Sequence, residues 1–164
     1  MIFLNNNLRG INYSTTGSVD PKTCATDFAK IMKGKGHVLD FSLESVEVEV
    51  DRILAQYATV DFEDLSILED FLTAYVGETL IANFGGSWTG NYYAPMSLAG
   101  VNYYSSFITI NDFRFNPNHF IGYYLTNGKK TEGTFYEYLY KRNQITEDTH
   151  DYSGEGLVGK IKKH

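Results

Sequence analysis

Glu78 is the side chain of this sequence best placed for acid–base chemistry. It lies in the run AYVGETLIANFGGSW, between an apolar stretch and a double glycine that precedes Trp88. A carboxyl group in apolar surroundings can hold its proton near neutral pH and act as a general acid. We favour a structural interpretation, in which Glu78 is a helix-end carboxylate that accepts hydrogen bonds from a neighbouring tyrosine or a loop amide.

Two glycine motifs near the C-terminus match nucleotide-binding signatures. Gly154, Gly156 and Gly159 fit GxGxxG, and the run GEGLVGK fits GxxxxGK. A phosphate-binding loop must open a helix, and a P-loop requires Ser or Thr after its lysine, where Ile161 stands here. Only four residues follow that lysine. We therefore reject nucleotide binding at this motif.

The other nucleophile and metal-ligand types form no catalytic pattern. A single Cys24 allows neither an internal disulfide nor a cysteine-based metal cluster, and its apolar neighbours suit a small buried residue. The histidines are scattered without a metal-binding spacing: His37, His119, His150 and His164. No GxSxG motif is present to activate a serine. We expect a protein without catalytic activity, cofactor or metal.

Charge is distributed unevenly along the chain, whose net charge is −6. Residues 40–78 hold eleven carboxylates against Arg52 alone, a net charge of −10, so the rest of the chain carries +4. An acidic segment repels nucleic acid and attracts a basic protein surface. Alternatively, these carboxylates only solvate two helices. The candidate partner-binding residues of this segment are Glu44, Glu47, Glu49, Asp51, Asp61, Glu63 and Asp64. If the segment is helical, Val48 lies on its polar face among them.

Tyrosine is dense in the middle of the chain. Tyr92, Tyr93, Tyr103 and Tyr104 fall in two adjacent pairs. Tyrosines anchor many protein interfaces because their large apolar ring carries a hydroxyl group. The simpler explanation is that they fill the contact between a sheet and helices. We include these four residues among the candidates for partner binding, as anchors beside the acidic segment.

Three helices are predicted in the N-terminal half. Asp20-Pro21 provides a cap followed by a proline, and Gly34 provides a stop, which predicts a helix over Pro21–Lys33. In LDFSLESVEVEVDRILAQY a strand-like alternation competes with a longer helical stripe, and the longer pattern predicts a helix capped by Ser42. The apolar run that starts at Asp61 predicts a third helix, with one apolar face, that stops at the double glycine.

Beyond residue 87 the composition changes to strand and turn residues. We predict an antiparallel meander with strands over 87–93, 97–103 and 106–112. Trp88 is expected to be mostly buried above the third helix.

Two short helices are predicted after the sheet. Asn116-Pro117 repeats the cap and proline and begins a helix that ends at Asn127-Gly128. The same Asn-Gly pair also suits a hairpin turn, which is the alternative for this stretch. A last helix is predicted over 134–142, with Phe135 facing inward.

The chain length suits one domain. We predict an irregular arm over 1–19, a single α+β domain over 20–143, and a mobile, glycine-rich tail over 144–164. The domain has N-terminal helices packed on a small antiparallel sheet, followed by short C-terminal helices. The apolar start MIFL is too short for a signal peptide, and no run approaches membrane-spanning length. We expect a cytoplasmic protein without a membrane partner.

The runs LDFSLESVEVEVDRILAQY, AYVGETLIANFGGSW and FNP carry a resemblance. They are similar to small bacterial α+β proteins in which a D-[FY]-S-x-x-S helix start precedes a Y-x-G-E…GG-x-W junction between helix and strand. Such domains recur among the immunity-type proteins of bacterial toxin systems. The resemblance covers about 39–139 and implies structural roles: Gly77 for close helix packing, and Trp88 for anchoring the first strand.

The resemblance and the charge together predict a non-enzymatic immunity protein. Such a protein would neutralise a cognate toxin or effector by direct binding to a basic surface of it. The alternative is a small-ligand-binding domain or enzyme that uses Glu78 and the tyrosine-rich sheet.

Overall fold

The computed structural model describes residues 20–56, 62–90, 106–125, 135, 158, 161 and 162. The predicted arm, 1–19, lies outside these ranges. The described elements are α1 (Pro21–Lys33), α2 (Leu43–Ser45), a π-helical segment (Val46–Val50), α3 (Asp51–Gln56), α4 (Phe62–Phe84), β1 (Ser87–Gly90), β2 (Ser106–Ile110), β3 (Phe113–Phe115) and α5 (Pro117–Tyr123). The architecture is α+β, as predicted, with helices packed on a small antiparallel sheet.

Helix α1 has the bounds that the sequence predicts. The Asp20 carboxylate accepts hydrogen bonds from the Thr23 amide at 2.8 Å and the Thr23 hydroxyl at 2.7 Å. Pro21 occupies the first turn, where its missing N–H costs nothing. The inner face of the helix buries Cys24, Ala25, Phe28 and Met32. Cys24 is therefore a small core residue, as expected.

Helix α4 is the centre of the core. Between residues 71 and 80 every residue except Glu78 is buried. The predicted single apolar face is therefore wrong, because α1, α5 and β2 all pack against this helix. A helix that is apolar all round is suited to such a central position. It ends as predicted, at Gly85 and Gly86, whose φ values are 80° and 107°.

The described part of the second helix is one continuous helix in three parts, α2, the π segment and α3. We call residues 43–56 the acidic helix. Ser42 caps it by accepting a hydrogen bond from the Ser45 amide at 3.0 Å. The helical interpretation of this stretch is confirmed.

The π segment follows from the spacing of buried residues in the acidic helix. They fall in pairs four residues apart: Ser45 and Val46, Glu49 and Val50, Ile53 and Leu54. An α-helix has about 3.6 residues per turn, so a strict four-residue stripe would drift around its surface. A π turn, with its i→i+5 hydrogen bonds, takes up the extra residue and keeps the pairs facing the core. The sequence prediction missed this segment.

The sheet differs from the predicted meander. Strand β1 pairs directly with β2, with Trp88 opposite Ile108. The predicted strand over 97–103, which was to lie between them, falls outside the described residues. The side chains of Ile108 and Ile110 are buried on the face of β2 that packs on helix α4. A shift of one residue in the strand pairing would expose both, so their burial fixes the register.

Strand β3 was not predicted. It pairs antiparallel to β2, after a turn in which Asn111 has a φ of 53°. Asn tolerates this left-handed conformation better than most residues. The predicted strand over 106–112 is therefore a strand that ends at Ile110 and a hairpin turn.

Trp88 lies across helix α4 as predicted, but it is only partly buried. A Cβ atom at Gly77 would lie 2.3 Å from Cζ2 of Trp88 and 2.9 Å from Cδ1 of Ile108. The close packing of helix α4 that Gly77 permits is therefore against strands β1 and β2.

Helix α5 begins as predicted. The Asn116 side chain accepts hydrogen bonds from the amides of Asn118 at 2.9 Å and His119 at 3.4 Å. Pro117 again occupies the first turn. The alternative hairpin is excluded for Pro117–Tyr123, and the predicted end at 127–128 lies outside the described residues.

Three isolated positions near the C-terminus complete the described core. Phe135, Val158 and Ile161 are all buried in it. The ring of Phe135 packs edge-on against that of Tyr124, with 5.1 Å between centroids. Val158 and Ile161 fall in 144–164, where a mobile tail was predicted, so that prediction is wrong at these two positions. Their three-residue spacing suits one face of a helix.

Membrane-spanning helices were not expected, and the described ranges contain no helix that combines the length and apolar character needed to cross a bilayer.

The contact between Gly77 and Trp88 predicts the effect of Gly77→Ala. The added methyl group would overlap the indole ring, so either the ring or strand β1 must shift. We expect a loss of about 1–3 kcal/mol in the free energy of unfolding, as for other overpacked cores. Urea denaturation followed by tryptophan fluorescence measures it. Gly34→Ala is the control, because Gly34 has an ordinary φ of −61°. Equal effects of the two substitutions would contradict this packing.

Candidate functional site

The residues of the resemblance pattern meet at the middle of helix α4. Tyr75 is fully buried. Its hydroxyl oxygen accepts a hydrogen bond from the Phe41 amide at 3.1 Å and lies 2.5 Å from Ser45 Oγ. Ser45 donates its own proton to the Ser42 carbonyl at 2.6 Å, so Tyr75 must be the donor to Ser45. Burial raises the pKa of the Tyr75 hydroxyl, which keeps this donor protonated.

Phe41 has an unusual backbone at this cluster. Its φ is 62°, a left-handed conformation that costs a bulky residue about 1–3 kcal/mol. Its carbonyl accepts a hydrogen bond from Asn83 Nδ2 at 3.0 Å, and its ring lies 5.0 Å from that of Tyr75. Helix α4 therefore contacts Phe41 at its backbone N–H, at its carbonyl oxygen and at its ring.

Glu78 lies one turn beyond Tyr75, next to strand β1. Trp88 donates its indole N–H to Glu78 Oε1 at 2.9 Å. Burial raises the pKa of Glu78, while the Trp88 hydrogen bond and the charge of Lys22 oppose that shift. The raised pKa agrees with the sequence analysis, and the partner is an indole rather than the predicted tyrosine or loop amide. Glu78 is thus a half-buried carboxyl group that bridges α4 and β1.

Glu69 is a second half-buried carboxyl group, which the sequence analysis did not single out. Its Oε1 accepts a hydrogen bond from Asn118 Nδ2 at 3.0 Å, and Asn118 also contacts Thr73 Oγ1 at 3.3 Å. Burial raises the pKa of Glu69, and the Asn118 hydrogen bond opposes the shift. A Cβ atom at Gly122 would lie 2.8 Å from Glu69 Oε1. The position of Glu69 inside the apolar run LEDFLTAY was the available signal.

Glu49 is the main correction to the predicted partner-binding surface. It is 8% exposed and lies on the core side of the acidic helix. Its Oε2 is 2.8 Å from Nδ1 of the buried His37, and both carboxylate oxygens are 3.1 Å from Arg52 Nη1. The Nε2 atom of His37 lies 2.9 Å from Gln56 Oε1. The four-residue stripe turns Glu49 inward, so its carboxylate joins the His37 loop to the helix and is not available to a partner.

The other candidates separate into four groups. Glu44 and Glu47 are exposed on the acidic helix. Asp51 is half-buried and accepts a hydrogen bond from the Phe135 amide at 2.7 Å, so it also has a structural role. For Glu63 and Asp64 the structure describes only a helical backbone. The remaining candidates lie outside the described residues: Asp61, Tyr92, Tyr93, Tyr103 and Tyr104.

Two large apolar side chains stand out from the described surface. Val38 is 64% exposed and Val48 is 47% exposed, which leaves much of both in solvent. Val38 follows His37 in the sequence, Val48 precedes Glu49, and His37 and Glu49 form a buried contact. The two segments that carry the valines therefore touch each other, with Glu44 and Glu47 beside Val48 on the acidic helix. We call Val48, Glu44 and Glu47 the acidic face.

Asp40 adds a charge at the start of this helix. It is exposed, and its carboxylate accepts hydrogen bonds from the Ser42 hydroxyl at 2.5 Å and the Ser42 amide at 3.0 Å. These contacts, the hydroxyl first, hold the pKa of Asp40 below its usual range. Asp40 is therefore a fixed negative charge next to the N-cap.

Metal-ligand chemistry finds no support in the described ranges, where no group of three or more His, Cys, Asp or Glu side chains could hold an ion. His37, Glu49, Glu69, Tyr75 and Glu78 each have hydrogen-bond partners within the protein. What the arrangement offers to other molecules is an acidic, partly apolar helix surface on an α+β fold.

Comparisons with known proteins add no relative. No family model, no curated protein and no solved structure matches the chain.

The raised pKa of Glu69 predicts how stability depends on pH. The folded state holds this proton more tightly than the unfolded state, so the stabilisation is complete at low pH and is lost as the pH rises through the folded pKa. Glu69→Gln keeps the Asn118 contact and removes this titration. We expect the variant to match the native protein near pH 4 and to exceed it in stability at pH 7 and above.

Thermal unfolding between pH 4 and 8 measures this difference. Glu44→Gln is the control, because it removes one carboxylate from an exposed position. A Glu69→Gln effect that stays constant across the pH range would show that burial of the Glu69 charge does not limit stability.

Proposed function

We propose that this protein is a non-enzymatic binding module, an immunity protein that neutralises a cognate bacterial toxin or effector by direct contact in the cytoplasm of the producing cell. The proposal is supported by the sequence resemblance and by the acidic face. The contact surface of the partner would be basic and would carry an apolar group at its centre.

Val48 is the observation that carries this proposal. A β-branched apolar side chain in a helix exposes nearly half its surface, with the exposed carboxylates Glu44 and Glu47 one turn before it and next to it in the sequence. The inward turn of Glu49 leaves Val48 outside, so the same π segment that buries one charge presents this valine. Apolar centres with charged rims are the usual anatomy of protein interfaces.

Partner identity is tested by co-expression with the product of the adjacent upstream gene. Rescue from toxicity and co-purification of a complex at low salt support the proposal. Failure of both, with well-folded protein, would count against it.

The acidic face predicts distinct kinetic effects in such a complex. Neutralising a rim charge acts mainly on association, so Glu47→Gln should slow association severalfold and weaken its salt dependence. Val48→Thr keeps the shape and removes an apolar contact, so it should speed dissociation. Surface plasmon resonance at two ionic strengths separates these effects. Asp112→Asn, at an exposed turn on the sheet, is the charge control. Association that ignores both salt and Glu47→Gln would remove the acidic face from the interface.

A small-ligand or catalytic role for Glu78 is the second candidate, favoured by the raised pKa of its half-buried carboxyl group. The Trp88 indole occupies one oxygen of that group, and a ligand would have to bind at the other. Thermal shifts across a metabolite panel test this role. A shift that disappears in Glu78→Gln, but persists in Glu47→Gln, would favour it over the immunity function.

A further inference from the structure

The turn before the acidic helix is held in a conformation that its sequence does not favour. Phe41 has a φ of 62°, a region that most residues with a large side chain avoid. The next residue, Ser42, is the N-cap, so the direction of the acidic helix is set immediately after this backbone outlier. Strained residues persist only where the surroundings impose them.

Helix α4 supplies that constraint. The Phe41 amide donates a hydrogen bond to the Tyr75 hydroxyl oxygen at 3.1 Å. Asn83 Nδ2 donates one to the Phe41 carbonyl oxygen at 3.0 Å. Tyr75 and Asn83 lie eight positions apart on one helix, so they hold the two ends of the Phe41 backbone against the same rigid element. Tyr75 also holds Ser45 in the first turn of the acidic helix.

A second contact fixes the helix further along, because His37 joins the preceding loop to Glu49 and Gln56. Those contacts hold the loop and the helix together as a unit. They do not attach that unit to helix α4. Tyr75 and Asn83 make that attachment through polar contacts.

We propose that Phe41 is a positioning residue for partner binding, because its left-handed backbone, held by Tyr75 and Asn83, fixes the direction in which the acidic helix presents Glu44, Glu47 and Val48. The proposal rests on the proposed function, because the direction of the acidic helix matters for binding only if the acidic face contacts a partner. The side chains that hold the turn are not themselves part of the acidic face.

Direct measurement of the helix direction tests this role. Spin labels are attached at Glu47→Cys and Ala82→Cys, both exposed, with the buried Cys24 replaced by alanine. Pulsed electron resonance should give one narrow distance between the labels. Tyr75→Phe retains the ring but removes the hydroxyl, and we expect it to broaden or shift that distance. Asn83→Ala is the milder variant if Tyr75→Phe folds poorly.

The matched control is Thr73→Val. It removes a fully buried hydroxyl group from the same helix at its contact with Asn118, away from Phe41. It should lower stability without changing the distance. An unchanged distance in both Tyr75→Phe and Asn83→Ala would overturn the positioning role, whatever the outcome of the partner search.

The backbone conformation has its own test. Phe41→Ala and Phe41→Gly both remove the ring, but only glycine adopts a positive φ without cost. We expect the unfolding equilibrium constant to be roughly tenfold smaller for the glycine variant than for the alanine variant. At Val48, inside a helix, alanine should be the more stable of the two. A glycine variant at position 41 that is no more stable than the alanine variant would contradict the strained turn.

Binding completes the test. With a partner identified by co-expression, Tyr75→Phe should weaken binding severalfold although the acidic face keeps all its side chains. A distance change without any loss of affinity would show that the turn exists but does not serve binding, which overturns the proposal. Absence of any partner removes the proposed function, and this inference falls with it, while the distance and stability results still report on the turn.

Discussion

The hydrogen bonds of the Tyr75 hydroxyl group join the central helix to the acidic helix, and the arrangement of the two helices depends on them. The hydroxyl group lies in the fully buried centre of helix α4 and connects that helix to the acidic helix through a chain of hydrogen bonds. The chain runs from the Phe41 amide through Tyr75 and Ser45 to the Ser42 carbonyl. In a low-dielectric core such a chain is strong only when every member is satisfied, and here each has its partner.

Helix α4 makes this arrangement possible because it is apolar on all sides. Helix α1, helix α5 and the sheet pack around it, so its polar residues must find partners inside the protein. Glu69 does so at Asn118 and Glu78 at Trp88, on opposite sides of the helix. Burial raises the pKa of both carboxyl groups, which links the packing of the central helix to the protonation of its two flanks.

The π segment connects this core to the surface. Its extra residue keeps a four-residue stripe of buried side chains in register, and the stripe includes Glu49. The carboxylate is satisfied by His37 and Arg52, while the neighbouring Val48 remains exposed. This change in helical pitch thus places Glu49 in the core and leaves Glu47 exposed. The proposed immunity function depends on the exposed carboxylates alone.

Elements with local signals could be predicted without any knowledge of the fold. The predicted helix ends agree with the structure where a cap, a proline or a positive-φ glycine marks them, because these signals act within one turn. They are Asp20 with Pro21, Ser42, Asn116 with Pro117, and the double glycine. The α+β class followed from the change of pattern after helix α4. Glu78 was the carboxyl group that the sequence marked as a candidate for a raised pKa, and burial raises that pKa.

Features that depend on contacts between distant segments could not be predicted in this way. In the folded protein Glu49 faces inward and contacts His37, and the Asp51 carboxylate accepts a hydrogen bond from the Phe135 amide. Strand β1 pairs directly with β2, and Val158 and Ile161 are buried. None of these contacts has a local signature, because each is selected by what packs against it after the chain has folded. The left-handed Phe41 is the clearest case: no phenylalanine favours that conformation alone, and Tyr75 and Asn83 impose it from more than thirty residues away along the chain.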